Sequence, residues 1–188
     1  MKVDMSKKFD VKLERVHSED IPLFIEKLQE AFSVTVKEKF GVCDPIPTED
    51  DIKSSIYEKN AETYHIVLNG QRVGGTVLII DKETQHNSLD LFFISPKYHS
   101  HGIGLSAWQA IESKYPDTVV WQTITPYFEE RNIHFYVNKC GFHIVEFFNK
   151  FHIDPTRQQR DNEENEMIPD SDTYFRFEKV MRNESKDM

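Results

Sequence analysis

The chain predicts a mixed α/β fold, and three features carry that expectation. An Asn69-Gly70 pair separates two apolar runs, which is a strong hairpin signal. A third apolar run ends at Ile94 and passes, through a proline-containing turn and the pair Gly102 and Gly104, directly into a helical pattern. Around these, the elements follow the order β-α-α-β-β-β-α-β-α-β-β. A front half so rich in hairpins argues against a doubly wound parallel sheet.

Residues 11–16 alternate as a strand. Ser18 is placed as an N-cap, with Pro22 in the first turn. Ile21, Phe24, Ile25, Leu28, Ala31 and Phe32 then recur at helical spacing. Residues 34–40 extend this helix or form a second short piece, and residues 41–47 break it. Thr48, with Asp51 three residues on, caps a second helix reaching about Lys59. Residues 63–68 and 72–80 are the hairpin strands, residues 81–87 a polar turn, and residues 88–94 a third antiparallel strand. The glycine turn opens a helix to about Tyr115, with Ile103, Ala107, Trp108 and Ile111 on one face. Residues 119–124 form a strand stopped at Thr125-Pro126. A helix from about Phe128 to Lys139 is capped by Gly141, and residues 142–152 are a strand. Residues 154–172 are acidic and read as a loop, residues 173–181 as a final strand, and residues 182–188 as a frayed end. No linker divides the chain, so one domain over residues 1–188, with its core at about 11–181, is expected.

A chain of 188 residues can bury a substantial core. Apolar residues make up 38% and charged residues 29%, the balance of a soluble globular protein. No apolar run approaches membrane-spanning length and no apolar signal core opens the chain, so a cytoplasmic protein with no membrane partner is expected. Cys43 and Cys140 lack redox spacing, and with the histidines they form no metal-ligand pattern; no metal is expected. The net charge of −9, with no basic block, argues against nucleic acid as a partner. It suits a cationic acceptor better.

Residues 90–104, DLFFISPKYHSHGIG, hold the main functional signal. A strand that turns through glycines into a helix presents backbone N–H groups without intrahelical partners at the positive end of the helix dipole. That arrangement binds phosphate. Neither G-x-G-x-x-G nor a P-loop is present. The run His99, Ser100, His101, Gly102, Ile103, Gly104 resembles the coenzyme A pyrophosphate loop of the GNAT superfamily of N-acetyltransferases, Q/R-x-x-G-x-G/A, with His99 at the first position. The order of elements is similar to that family's as well. The resemblance implies a central, mostly antiparallel sheet with one splayed parallel strand pair and about four flanking helices. It implies acetyl-CoA as cosubstrate, with Phe92, Phe93 and Ile94 at the thioester and pantetheine. It leaves a homodimer open, since this fold often pairs through its late strands.

A second segment, from Arg131 to Phe142, resembles the family's later signature. It implies that Asn132 meets the pantetheine arm and that Tyr136 protonates the leaving thiolate. Counting back from Gly141 would instead select Val137; Tyr136 is preferred because a one-residue bulge accommodates the difference. Asp90, Glu129 and Glu130 are candidate general bases. Ser106 and Cys140 have no neighbouring base in sequence, so direct transfer fits better than an acyl-enzyme. The expected acceptor is a small primary amine, admitted by an entrance that residues 41–47 and 154–172 narrow, with Phe32, Phe40 and Tyr57 as candidate lining. A protein or peptide N-acetyltransferase, or a non-catalytic acyl-CoA sensor on the same fold, are the alternatives. His99 and His101, on gaining charge, are expected to tighten coenzyme binding as pH falls.

Overall fold

The computed structural model describes residues 9–41, 46–99, 101–156 and 173–181. Expectations resting on residues 42–45, Ser100, residues 157–172 and residues 182–188 lie outside the described residues. The elements are β1 (Val11–Arg15), α1 (Ile21–Phe40), α2 (Glu49–Ile56), β2 (Ala61–Leu68), β3 (Gln71–Ile79), β4 (His86–Ile94), α3 (Ile103–Lys114), β5 (Val120–Pro126), α4 (Glu130–His134), β6 (His143–Phe148) and β7 (Tyr174–Val180). The strands form one sheet in the order β1-β2-β3-β4-β5-β7-β6. Among the described residues only β4 and β5 run parallel; every other neighbouring pair is antiparallel.

The local signals act as their chemistry requires. Asn69 and Gly70 both take positive φ, 51° and 75°, the backbone a two-residue hairpin turn needs. Thr48 and Asp51 form a reciprocal capping box on α2. α1 runs unbroken to Phe40 and ends at Gly41 in the left-handed region. Several boundaries differ from expectation. Ser18 begins a 3₁₀ turn rather than capping α1, and Asp20 instead accepts two hydrogen bonds from Arg72, each 2.9 Å. α2 stops at Ile56 and β4 begins earlier, at His86. β6 ends at Phe148, because Asn149 turns the chain back on itself through its bridge to His152.

Alternation along the strands sends side chains to two layers. On one face Val77 and Phe93 pack with Phe24, Ile25 and Leu28 of α1 and Ile52 of α2. On the other, Leu78, Leu89, Trp121 and Phe177 pack with Trp108 and Ile111 of α3 and with Tyr136 and Phe142. Trp108 and Trp121 meet edge to face with ring centroids 5.4 Å apart.

β4 and β5 pair at only three positions: His86 with Val120, Asn87 with Trp121, and Ser88 with Gln122. Beyond that the strands separate. The cause lies on the other edge of β4. There Leu78 pairs with Leu89 but Val77 pairs with Leu91, so Asp90 is the extra residue of a bulge. A bulge bends its strand and raises its twist. Asp90 follows the last parallel pair by two residues, so β4 turns away from β5 where the gap opens.

Gly74 and Gly75 of β3 let α1 and β4 approach this region closely. A Cβ on Gly75 would lie 2.3 Å from the Phe24 ring and 2.7 Å from the Phe93 ring; one on Gly74 would lie 2.2 Å from the Phe93 carbonyl oxygen. Rings can shift and backbone cannot. Gly75→Ala should therefore cost roughly 1–3 kcal/mol of unfolding free energy, and Gly74→Ala more. Urea unfolding of both variants checks the order.

Candidate active site

The widening between β4 and β5 opens into a cleft of about 1140 Å³ bordered by α3, α4 and the middle of α1. Phe92, Phe93, Ile94, His99, His101, Gly102, Ile103, Gly104, Asn132 and Tyr136 all line it. The ten sequence-predicted residues that can be placed are thus brought together from β4, the glycine turn, α3, α4 and the turn that follows α4; Ser100 is outside the described residues.

At one end stands the glycine turn. Gly102 has φ 79° and precedes α3 without a side-chain cap. The first-turn N–H groups of Ile103, Gly104 and Leu105 border the cleft and have no carbonyl within the helix to bond. Gly104 serves packing: a Cβ there would lie 3.3 Å from the ring of Phe135. That ring stacks on Phe92 at 5.8 Å between centroids and 12° between planes. The start of the turn that follows α4 therefore packs on α3 beside the loop, leaving a cradle of backbone donors suited to an anion.

Tyr136 sits where the strands part. The helix that begins as α4 changes at Phe135 into a π turn through Cys140, and does not start at Phe128 as expected. The Tyr136 carbonyl accepts the N–H of Gly141, five residues on, and of Phe142, at 3.0 Å. The π turn holds the one extra residue between Tyr136 and Gly141. Tyr136 borders the cleft, whereas Val137 packs against the core. Thr123, whose side chain acts on the Tyr136 phenol, donates its hydroxyl to the Leu89 carbonyl at 2.8 Å across the gap between β5 and β4. Burial pushes the Tyr136 pKa well above its ordinary value, so the phenol is protonated at neutral pH.

The three candidate bases separate clearly. Glu130 is exposed and pairs with Lys39 at 3.2 Å. Asp90 occupies the bulge and does not border the cleft. Glu129 is 6% exposed and lines the cleft together with Thr35 of α1. Burial raises its pKa; the Thr35 hydroxyl and the charges of Lys39 and Arg131 oppose the rise without cancelling it. Its charge also acts on the Tyr136 phenol.

His99 does not offer a free cation. Its Nε2 lies 2.6 Å from the Ile94 carbonyl and donates to it; its Nδ1 lies 2.6 Å from Nη1 of Arg131 and accepts. That pattern requires a neutral ring. Burial, ahead of the opposing Ile94 bond, holds its pKa below the ordinary histidine value, and Arg131 lowers it further. The expectation that His99 tightens coenzyme binding at low pH is thereby corrected. Arg131, which borders the cleft, is the functional candidate that sequence reading missed. Its signal is a contact across 32 residues, which no local pattern displays.

Phe32 lines the cleft on the α1 side, with Ala31 and Thr35. Phe40 instead packs edge to face on Phe128, and Tyr57 is 69% exposed away from the cleft. The Cys140 thiol is buried and pushed up to about 12, and Ser106 Oγ accepts the Phe9 N–H at 3.3 Å. Neither is an activated nucleophile. Among the described residues no group of three His, Cys, Asp or Glu side chains could hold a metal ion, and no helix is long and apolar enough to cross a membrane.

Residues 25–142, which contain the glycine turn, Glu129 and Tyr136, match the model of the acetyltransferase (GNAT) family. The chain belongs to the GNAT acetyltransferase family. It is 54% identical over 172 residues to the uncharacterized protein YrkN of Bacillus subtilis (strain 168), covering 90% of this chain and 93% of that one. Two solved structures share the fold at low identity. A GNAT acetyltransferase from Elizabethkingia anophelis with acetyl-CoA bound superposes with a TM-score of 0.65 at 15% identity, over 91% of this chain and 98% of that one. A spermidine N-acetyltransferase from Vibrio cholerae in complex with CoA and spermine does so with 0.63 at 10%, over 90% and 95%.

In this GNAT chain the buried Glu129 has a consequence for stability. A carboxyl whose folded pKa is raised binds more protons folded than unfolded, so stability falls as pH rises through that window. Glu129→Gln should therefore be more stable than wild type at pH 8, with the gain shrinking toward pH 4. Thermal melts at the two pH values measure it.

Proposed function

We propose that the chain transfers acetyl from acetyl-CoA to the primary amine of a small molecule, directly and without an acyl-enzyme. The observation that carries this reading is the convergence of a buried carboxylate, Glu129, and a buried phenol, Tyr136, on the gap between β4 and β5. The pKa of each is raised, which suits one as a base near neutral pH and the other as an acid.

Acetyl-CoA supplies an activated carbonyl and a thiolate leaving group. The N–H groups of Ile103, Gly104 and Leu105 would hold its diphosphate, with His101 beside them. Backbone groups of Phe92, Phe93 and Ile94, left unpaired by β5, would hold the pantetheine and the thioester oxygen, with Asn132 flanking the arm. Glu129 takes a proton from the attacking amine as the C–N bond forms. Tyr136 gives its proton to the thiolate as the C–S bond breaks. Tyr136 is refilled through Thr123 or solvent, and Glu129 releases its proton with the product.

The acceptor would enter beside Phe32 and Thr35, where an aromatic ring and a carboxylate face a cationic amine. The net charge of −9 favours such cations near the protein. The same fold in the spermidine N-acetyltransferase supports a small amine.

Tyr136→Phe should lower kcat by roughly ten- to a thousandfold with little change in KM. Glu129→Gln should lower kcat and abolish the acid limb of the pH–rate profile, a limb lying above the ordinary glutamate range. Thiol release with a panel of small amines and peptides reads these effects. Full turnover by Tyr136→Phe would return the phenol to a packing role, and selective turnover of peptides would move the acceptor to proteins. Absence of CoA binding by calorimetry would end the whole reading.

A further inference from the structure

We propose that Arg131, held in place by His99, is the side-chain cation for the diphosphate of the coenzyme, and that His99 is the positioning residue that keeps it there. The inference rests on the acetyl-CoA reading and deepens it.

The geometry assigns the roles. His99 lies in the glycine turn, three residues before Gly102, and borders the cleft. Its ring spans 2.6 Å contacts on both sides, to the last carbonyl of β4 and to the guanidinium of a residue on the first turn of α4. The Ile94 carbonyl fixes the proton on Nε2, and that leaves Nδ1 as an acceptor aimed at Arg131. A guanidinium has five N–H donors, and the imidazole uses one of them and none of the charge. The remaining donors border the same cleft as the first-turn N–H groups of α3. A diphosphate on those N–H groups would meet a planar, permanently charged fork whose flexibility has already been restrained.

The pH consequence has the opposite sign to that of a histidine binding phosphate directly. When His99 gains a proton, Nδ1 becomes a donor facing a donor, and two cations face each other. Arg131 is then released and the cleft loses an ordered charge. The groups that act on the ring are the Ile94 carbonyl from β4 and Arg131 from α4. His101 and His134, both exposed at the cleft, are common to wild type and to every His99 variant. The informative quantity is therefore the difference between wild type and His99→Gln. Glutamine can donate to the Ile94 carbonyl and accept from Arg131, and it does not titrate.

The test is calorimetric binding of CoA and of 3′-dephospho-CoA to wild type, Arg131→Ala, His99→Ala, the double variant and His99→Gln, at pH 5.5 and 7.5. At pH 7.5 Arg131→Ala should weaken both ligands equally, by roughly ten- to a hundredfold, as expected for losing a charge-assisted bond. His99→Ala should weaken them less, and adding it to Arg131→Ala should change little, since the two act as one unit. His99→Gln should match wild type at pH 7.5 and bind more tightly than wild type at pH 5.5. Wild-type affinity in Arg131→Ala would overturn the proposal while leaving the acetyl-CoA reading intact. A loss confined to CoA would also overturn it, since that would place Arg131 at the 3′-phosphate. Equal pH profiles for wild type and His99→Gln would remove His99 from the positioning role. Absence of wild-type binding would instead defeat the acetyl-CoA reading itself.

Discussion

The three-rung contact between β4 and β5 is the constraint on which the rest of the structure depends. Two parallel strands normally satisfy each other's backbone along their whole length. Here they do so from His86 to Ser88 only. Each is held by its other neighbour: β4 by β3, and β5 along its full length by β7. The bulge at Asp90 then bends β4 away. Below the opening, Asn87 locks the strands, its side chain accepting from the Asp81 N–H and donating to Thr118 at 2.8 Å. The Thr123 hydroxyl, bonded to the Leu89 carbonyl, is the last link before the gap. A sheet that parts in this way leaves backbone donors and acceptors for a ligand without breaking its core.

The two helical layers meet at that opening. α3 and the π turn cover one face of the sheet, and α1 covers the other. Where the strands separate, Thr35 of α1 reaches Glu129, which precedes α4, and Glu129 in turn influences Tyr136. A carboxyl and a phenol are thus held in largely apolar surroundings by elements from both layers. The arrangement costs stability. Burying Glu129 disfavours its charged form, and the π turn exchanges regular helical bonds for the placement of one side chain.

Much of this was legible in the chain. The Asn69-Gly70 turn, the Thr48 capping box, the helical period of α1 and α3, and the strand-glycine-helix passage at residues 90–104 are local signals. Each rests on interactions within a few residues, so the sequence carries them openly. The mismatched spacing from Tyr136 to Gly141 was visible too, and a π turn spans it in the structure. Boundaries were less legible. Ser18 has the composition of a cap, but Asp20 is drawn into pairing with Arg72, and a 3₁₀ turn comes first.

The sequence by itself determined the mixed α/β order, the glycine cradle and the set of side chains from which a site could be built. Only the tertiary structure decided which of them work together. It separated Glu129 from Asp90 and Glu130 by burial, showed the bulge that parts β4 from β5, and turned His99 from an apparent anion ligand into the partner of Arg131. The physical reason is range. Turns, caps and periodicity follow from covalent geometry and near neighbours. Desolvation, strand register and a contact between residues 99 and 131 depend on groups distant in the chain, and these have no definite surroundings until the sheet has formed.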